Sequence, residues 1–535
     1  MAVHKKKLWI WGAVSFVLLV PALFLNLGDN GFIEDEGTRG IVAMEMIYQN
    51  DFITPTISGE YYYNKPPGYN WIIAVSFMLF GNFSAFALRF PMAISVILYG
   101  LSVFLMLRKR FGNHFALILA LATVTCGRIF FYDSLHGLID ITMAWLTFVM
   151  FILIFLLHEK GRFYLLFIIA YAISAYTFLM KGIPSIAFLG ISLLTLFIYK
   201  KDFKRLFTLP HLAGILVFIV IVGGYYYSYS LKNNNSLITL FKILFIEANK
   251  KSIGGNDIVD TITHLFVFPF QYLVDFLPFT VFIIFFFKKK NIQLVWSNHF
   301  TRYLILIFFF NILIFWISPV VFARYLLMFV PLAYGVLLYP YMNNPEGNRR
   351  TVSIVHGVFA GAIALLTVVP LIMAMVPPSK VIDHKWLKAI LSTVALLGIF
   401  IMYLRARKNV ILYFILSLIV IRITFNLFVI PIRTYDSWHF KTLASATRIG
   451  NEYKEKELCI YDEPSIYHEP DKLVQDKALY FISRERGKIV PLCTDFKTGK
   501  LYIVANADYD PNEHIILDNL FTYRKLPLYV VKVKE

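Results

Sequence analysis

Residues 8–40 read LWIWGAVSFVLLVPALFLNLGDNGFIEDEGTRG, an uncharged stretch from Leu8 to Leu25 that gives way within a few residues to Glu34, Asp35 and Glu36. An apolar run of about 18 residues is long enough to span a bilayer as a helix. Lys5, Lys6 and Lys7 precede it, which gives the start the look of a secretory signal peptide. No small-x-small cleavage site follows, so the run reads as a retained first span. Composition extends this reading to the whole chain of 535 residues, of which 58% are apolar and only 16% charged. Soluble domains carry about 25% charged residues, so the chain is expected to be a mainly α, polytopic membrane protein. The net charge of +18 suggests nucleic acid until its location is known.

Apolar stretches of about 17 to 25 residues recur near 8–26, 84–107, 114–132, 138–157, 162–179, 183–199 and 208–230. A second group lies near 263–287, 303–319, 321–342, 352–375, 387–404 and 409–430, which predicts 13 spans. The stretch Tyr69 to Phe80, flanked by Pro66, Pro67 and Gly81, is too short and reads as interfacial or re-entrant. Short cytoplasmic loops are rich in Lys and Arg. With the N-terminus inside, the cytoplasmic segments hold 21 basic residues against Glu159, Asp202 and Glu346. Counting Tyr69–Phe80 as a span would move most of these cations outside. The positive charge therefore reports orientation, and no nucleic-acid partner is expected. The parity puts the C-terminus outside.

The predicted domains are a transmembrane domain over 1–430, with a long outer loop at 27–83, and a soluble extracytoplasmic domain over 431–535. The latter has 16 basic and 16 acidic residues. Short β-rich runs (Leu458–Tyr461, Ala478–Ile482, Lys500–Val504, Leu528–Val533) alternate with helix-like segments such as Trp438–Glu455, an α/β or α+β pattern. Cys459 and Cys493 lie 34 residues apart on the side that would be oxidising, so a disulfide is open to them. Spacing alone does not fix its geometry.

Chemistry concentrates in long loops, and the first outer loop is the richest. Glu34, Asp35 and Glu36 diverge on any regular backbone, so one of them is expected to point inward. After this triad come Glu45-Met46, a Pro-Thr turn, Lys65-Pro66-Pro67, a short aromatic-led helix ending at Phe80-Gly81, and Arg89-Phe90-Pro91. Farther on stand Met180-Lys181-Gly182-Ile183-Pro184 and Ser318-Pro319 followed by Arg324-Tyr325. This ordered set, covering roughly residues 8–340, resembles the bacterial relatives of the protein O-mannosyltransferases, a group that includes the aminoarabinose transferases acting on lipid A.

The resemblance implies a large integral-membrane glycosyltransferase (GT-C) fold in the cytoplasmic membrane, with its site on the extracytoplasmic side. It also implies a polyprenyl-phosphate sugar as donor, and lipid A, another glycolipid or a protein hydroxyl as acceptor, with membrane lipids around it. The transferred group is a hexosyl or pentosyl unit. A lipid-linked donor needs cations for its phosphate and a carboxylate near the reacting carbon, and transfer by one displacement inverts that carbon. Asp35, with Glu36 beside it, matches the catalytic acidic pair, Asp35 serving as general base or acceptor-orienting group. The alternative is a solvated acidic helix start.

Lys65 matches the family's Lys-Pro-Pro and would bind the donor phosphate as a point charge; a lysine snorkelling to headgroups is the bland alternative. Arg39 is a second phosphate or scaffold candidate. In the outer loop from Leu231 to Thr263, Lys251, with Lys250 in reserve, stands a few places after Glu247 and resembles a basic residue that reaches the phosphate. Tyr325 matches a tyrosine associated with that phosphate and Arg324 precedes it, although outer-edge aromatics also form an interfacial belt. Asp140, an intramembrane carboxylate, is expected to pair with Arg89, Arg128 or Lys181 as scaffold.

No dense His, Cys and carboxylate cluster demands a metal. Asn64 stands where some relatives have a glutamate, so no metal is assigned; a divalent metal stays open as a cofactor, with His264 as its ligand candidate. P-loop and dinucleotide fingerprints are absent. Two rival activities are a flippase for a lipid-linked sugar, which would show internal repeats that this chain lacks, and an oligosaccharide ligase using a pyrophosphate carrier.

Overall fold

The computed structural model describes residues 2–234, 236, 258–318, 321–406, 410–435, 438–461, 472–505, 508–521 and 528–534. Chain contacts divide it into two compact units. The first comprises Met1–Leu25, Met92–Leu135 and Ile139–Phe428; the second comprises Asn26–Pro91, His136–Leu138 and Val429–Glu535.

The first unit is helical. Among the described residues nine helices, from Ala85–Val124 to Val410–Tyr435, are long and apolar enough to cross a membrane, and Ile10–Phe24 and Pro184–Tyr199 are shorter apolar helices. The chain is thus a multi-pass membrane protein. The expected spans at 84–107 and 114–132 correspond to two helices within Ala85–Val124 that meet at a kink at Gly112. There φ is +80°, a conformation glycine adopts without a Cβ clash. The expected span at 263–287 is divided between the helix Ile258–Asp275, with Pro269 inside it, and a 3₁₀ stretch Phe279–Phe287 after the cis Leu277-Pro278 bond.

A buried cation in this unit has a local explanation. Arg422, fully buried in the helix Val410–Tyr435, donates from Nε to the Ala22 carbonyl at 3.1 Å and from Nη1 to the Phe130 carbonyl. Both carbonyls lie at the C-terminal ends of helices (Ala2–Phe24 and Gly127–Phe131), where the backbone dipoles favour positive charge. The rings of Phe130 and Phe425, each 5.6 Å from the guanidinium, complete the surroundings.

The second unit joins the first long loop to the C-terminal domain. It has a short hairpin, β1 (Thr56–Ile57) with β2 (Glu60–Tyr61). Its five-stranded sheet consists of β3 (Leu458–Tyr461), β4 (Leu492–Cys493), β5 (Leu501–Ala505), β6 (His514–Leu520) and β7 (Leu528–Val533). The order is β4-β3-β5-β7-β6, parallel across β4, β3 and β5 and antiparallel across β5, β7 and β6. Cys459 on β3 and Cys493 on β4 form a disulfide with Cα atoms 6.0 Å apart.

The expected β-run Ala478–Ile482 is instead part of the helix Lys472–Arg486. All five of its residues are buried, and an apolar run buried on every side has the same pattern in a strand and in a helix. What surrounds it is the first loop. Phe32 stacks on Phe481 at 5.0 Å and meets Tyr480 edge-on at 5.1 Å, while the Tyr480 hydroxyl donates to the Phe83 carbonyl at 2.7 Å. A side chain at Gly40 would collide with the Tyr480 ring, 2.6 Å from the nearest Cβ position. The short helix Gly68–Phe80 ends at Gly81, whose φ of +64° stops it.

Candidate active site

In the second unit the acidic triad is sorted by burial. Glu34 has a left-handed φ of +44°, and the chain enters the helix Glu36–Tyr48 directly after it. Glu36, at the first helical turn, is fully buried against an equally buried Arg89. Arg89 Nε and Nη2 lie 2.5 and 3.0 Å from the two carboxylate oxygens, the bidentate geometry that makes such pairs strong. Glu36 also accepts from the Gly137 amide at 2.8 Å and the Ile33 amide at 3.2 Å. Arg89 donates in addition to the Leu27 and Gly31 carbonyls at 2.8 and 3.1 Å. Burial by itself would raise the Glu36 pKa, but the Arg89 charge, with His136 and the hydrogen bonds, holds it far below the usual carboxylate range.

Asp35, one residue earlier, faces the other way. It occupies the helix N-cap position without capping it, and its side chain is 44% exposed, 3.8 Å from Arg39 Nη2. Arg39 is buried and donates to the Tyr62 hydroxyl at 3.2 Å and Asn70 Oδ1 at 3.5 Å, while Asn70 Nδ2 returns a bond to the Arg39 carbonyl at 3.1 Å. Arg39 thus ties the helix Glu36–Tyr48 to the segment carrying Lys65, which is half-buried.

Glu45 holds the β1–β2 hairpin, accepting from the Thr56 hydroxyl at 2.7 Å, the Ser58 amide at 2.6 Å and the Gly59 amide at 3.2 Å. Its pKa is raised, by burial foremost, against the opposing pull of those donors. The sequence reading used Glu45 only as a landmark, and Asn70 and Tyr62 not at all. The i, i+4 spacing of Asp35 and Arg39 was the available clue to the first pair.

In the first unit a second polar group forms around Asp140, the first residue of the helix Asp140–Glu159. Its carboxylate pairs with Lys181, and with Arg324 Nε at 3.5 Å. The Lys181 ammonium stands 3.9 Å from the Tyr325 ring centroid, and the Arg324 guanidinium lies 4.5 Å from the Phe322 ring. Two cations therefore share one carboxylate, and the local excess is positive. Of the three partners foreseen for Asp140, Lys181 takes the place; Arg89 serves Glu36, and Arg128 pairs with Asp133 at 3.0 Å. Asp133 sits in the connection before Asp140, and burial pushes its carboxyl up to about 7 despite Arg128.

His264 lies on the helix Ile258–Asp275, with Nε2 3.3 Å from the Phe315 carbonyl. Glu247, Lys250 and Lys251 lie outside the described residues. Among the described residues no group of three or more His, Cys, Asp or Glu side chains is placed to hold a metal.

The chain is similar to several known proteins. A family model described as dolichyl-phosphate-mannose-protein mannosyltransferase matches residues 64–227. A protein from Aquifex aeolicus (strain VF5) is 26% identical over 246 residues, 44% of this chain and 47% of that protein. An undecaprenyl phosphate-alpha-4-amino-4-deoxy-L-arabinose arabinosyl transferase from Pseudomonas savastanoi pv. phaseolicola is 36% identical over 95 residues, 18% of this chain and 17% of the relative. The matched part thus spans at most about half the length of these curated relatives. The crystal structure of ArnT from Cupriavidus metallidurans bound to undecaprenyl phosphate has the same fold, with a TM-score of 0.68 at 17% identity over 98% of both chains. The chain thus has the GT-C membrane fold of ArnT, and its residues 64–227 are similar to the dolichyl-phosphate-mannose-protein mannosyltransferase family.

Proposed function

We propose that the protein is an inverting glycosyltransferase of the bacterial cytoplasmic membrane that moves a sugar from a polyprenyl-phosphate donor to a glycolipid acceptor outside the cytoplasm. The observation that carries this reading is the different fate of two neighbouring carboxylates. Glu36 is sealed against Arg89, whereas Asp35 keeps a side chain 44% exposed at the head of the same helix. The first is an anchor, and the second is available to a substrate. The fold shared with a transferase crystallised with undecaprenyl phosphate, and the family match that includes Lys65, support a lipid-phosphate donor.

In this reading the acceptor oxygen attacks the sugar's anomeric carbon while the bond from that carbon to the phosphate oxygen breaks. The departing phosphate takes the electron pair, and fixed cations stabilise it. Lys65 is assigned to that phosphate. Asp35 accepts the proton when the acceptor is a hydroxyl and orients the acceptor when it is an ionised phosphate. Glu36 holds the helix that presents Asp35. The basic loops orient the N-terminus to the cytoplasm and the tail to the other side.

The test is Asp35→Asn assayed with a synthetic polyprenyl-monophosphate sugar and with its pyrophosphate counterpart. Normal protein level with turnover of neither donor is expected, against wild-type turnover of the monophosphate alone. Near-normal turnover by the variant would remove Asp35 from the reaction, and wild-type preference for the pyrophosphate would replace the donor class. Lipid and glycoprotein mass spectrometry of a deletion strain separates a glycolipid from a protein acceptor.

A further inference from the structure

A recess of about 640 Å³ in the first unit is lined by Arg349, Arg350, Ser353 and Ile354. It opens at one end of the helix Arg349–Met375, whose exposed large apolar residues include Ile354, Val358, Leu365 and Ile372. With Arg350 these positions follow intervals of four and seven residues, which place them along one helical face. In a membrane protein an exposed apolar face of this kind is turned to lipid. The neighbouring helix Lys385–Arg405 joins it through the Tyr403 hydroxyl, which donates to the His356 carbonyl at 2.8 Å, and shows its own exposed apolar row, Leu397, Ile401 and Leu404, below Arg405. The recess is therefore where a charged headgroup region meets an acyl-chain surface.

The basic rim is built and held. Asn291 and Asn348 are buried and exchange two amide hydrogen bonds at 2.8 and 3.0 Å. Lys288 reaches the Gly347 carbonyl at 3.2 Å. These bonds fix the segment bearing Lys288, Lys289 and Lys290 beside the one bearing Arg349 and Arg350. Glu346, exposed in the preceding turn, is the acidic residue of that segment. Among the described residues neither Arg349 nor Arg350 takes part in an ion pair, so their charge is available. None of these groups belongs to the constellations assigned to sugar transfer.

We infer that this recess binds the headgroup of an anionic glycerophospholipid, with its phosphodiester on Arg349 and Arg350 and its acyl chains along the Ile354, Val358, Leu365 face. Basic pockets at helix ends bind such headgroups, and each cation near an anionic lipid is worth roughly a fivefold gain in binding. Removing two weakens binding roughly 25-fold on the same basis.

The experiment is native mass spectrometry of the full-length protein in detergent, titrated separately with phosphatidylglycerol, phosphatidylcholine and inorganic phosphate. Wild type is expected to retain phosphatidylglycerol in preference to phosphatidylcholine, without displacement by inorganic phosphate. The Arg349→Gln/Arg350→Gln variant is expected to lose that preference, and Arg349→Lys/Arg350→Lys to keep it. Equal retention of the two lipids by wild type overturns the inference without need of any variant. So does displacement by inorganic phosphate, which marks a free-anion site, or an unchanged preference in the glutamine variant.

Discussion

The pair Glu36–Arg89 offers the sharpest test of how the loop is built. Both side chains are fully buried, and the carboxylate accepts four hydrogen bonds, two from Arg89 and one each from the Gly137 and Ile33 amides. Glu36→Gln keeps the shape but removes the negative charge, leaving Arg89 buried with carbonyl partners alone. Breaking one side of a buried pair costs about 3–5 kcal/mol, which lowers the folded-to-unfolded ratio about a hundredfold or more. Arg89→Met leaves the mirror-image defect. The double variant, with no buried charge left, is expected to be much less damaged than the sum of the two, because the pair is coupled.

Apparent unfolding temperature in detergent and protein abundance in the membrane, measured for all four proteins, give the cycle. The pH dependence has a definite sign. The folded Glu36 pKa is depressed by Arg89, so its stabilisation is complete above the ordinary glutamate value of about 4.3. It is lost only as pH falls below that value toward the folded pKa. Above about pH 7, where the neighbouring His136 is neutral in folded and unfolded chain alike, the difference between wild type and Glu36→Gln is therefore constant. Additive single effects, or a glutamine variant as stable as wild type, would refute the anchoring role.

Two further outcomes are expected. Asp133 is raised to about 7 by burial, so the folded state binds its proton more tightly than the unfolded chain does. Its contribution to stability is complete below about pH 4 and falls as pH rises toward 7. Asp133→Asn should flatten that part of the pH profile of the unfolding temperature, and an unchanged slope would count against the assignment. The disulfide closes a separation of 34 residues in the C-terminal sheet, worth about 3–4 kcal/mol on the chain-entropy account. Cys459→Ser/Cys493→Ser should make the tail more open to limited proteolysis, and equal cleavage rates would show that the sheet does not need the bridge.

Much of this protein could be read before folding because the bilayer imposes its own grammar. Apolar runs must exceed a fixed length, and loop cations mark one side, so the multi-pass class followed from local sequence, as did the loop that carries Asp35 and Lys65. Other features were illegible for stated reasons. Ala478–Ile482 is apolar throughout, and its period does not separate a strand from a helix. Glu34, Asp35 and Glu36 are three equivalent acids in sequence. Only the packing of Arg89, 53 residues later, makes one an anchor and leaves another accessible.

The partners of Asp140 depended likewise on Lys181 and Arg324 arriving from distant segments. The joining of the first loop to the tail depended on Phe32, Tyr480 and Phe481 meeting across more than four hundred residues of sequence. Sequence by itself determined the solvent of each segment, since hydropathy and charge are local properties. Which carboxylate is buried, which cation is shared and which loop is braced were decided by tertiary structure, because burial and pairing are properties of the neighbours that a fold brings together.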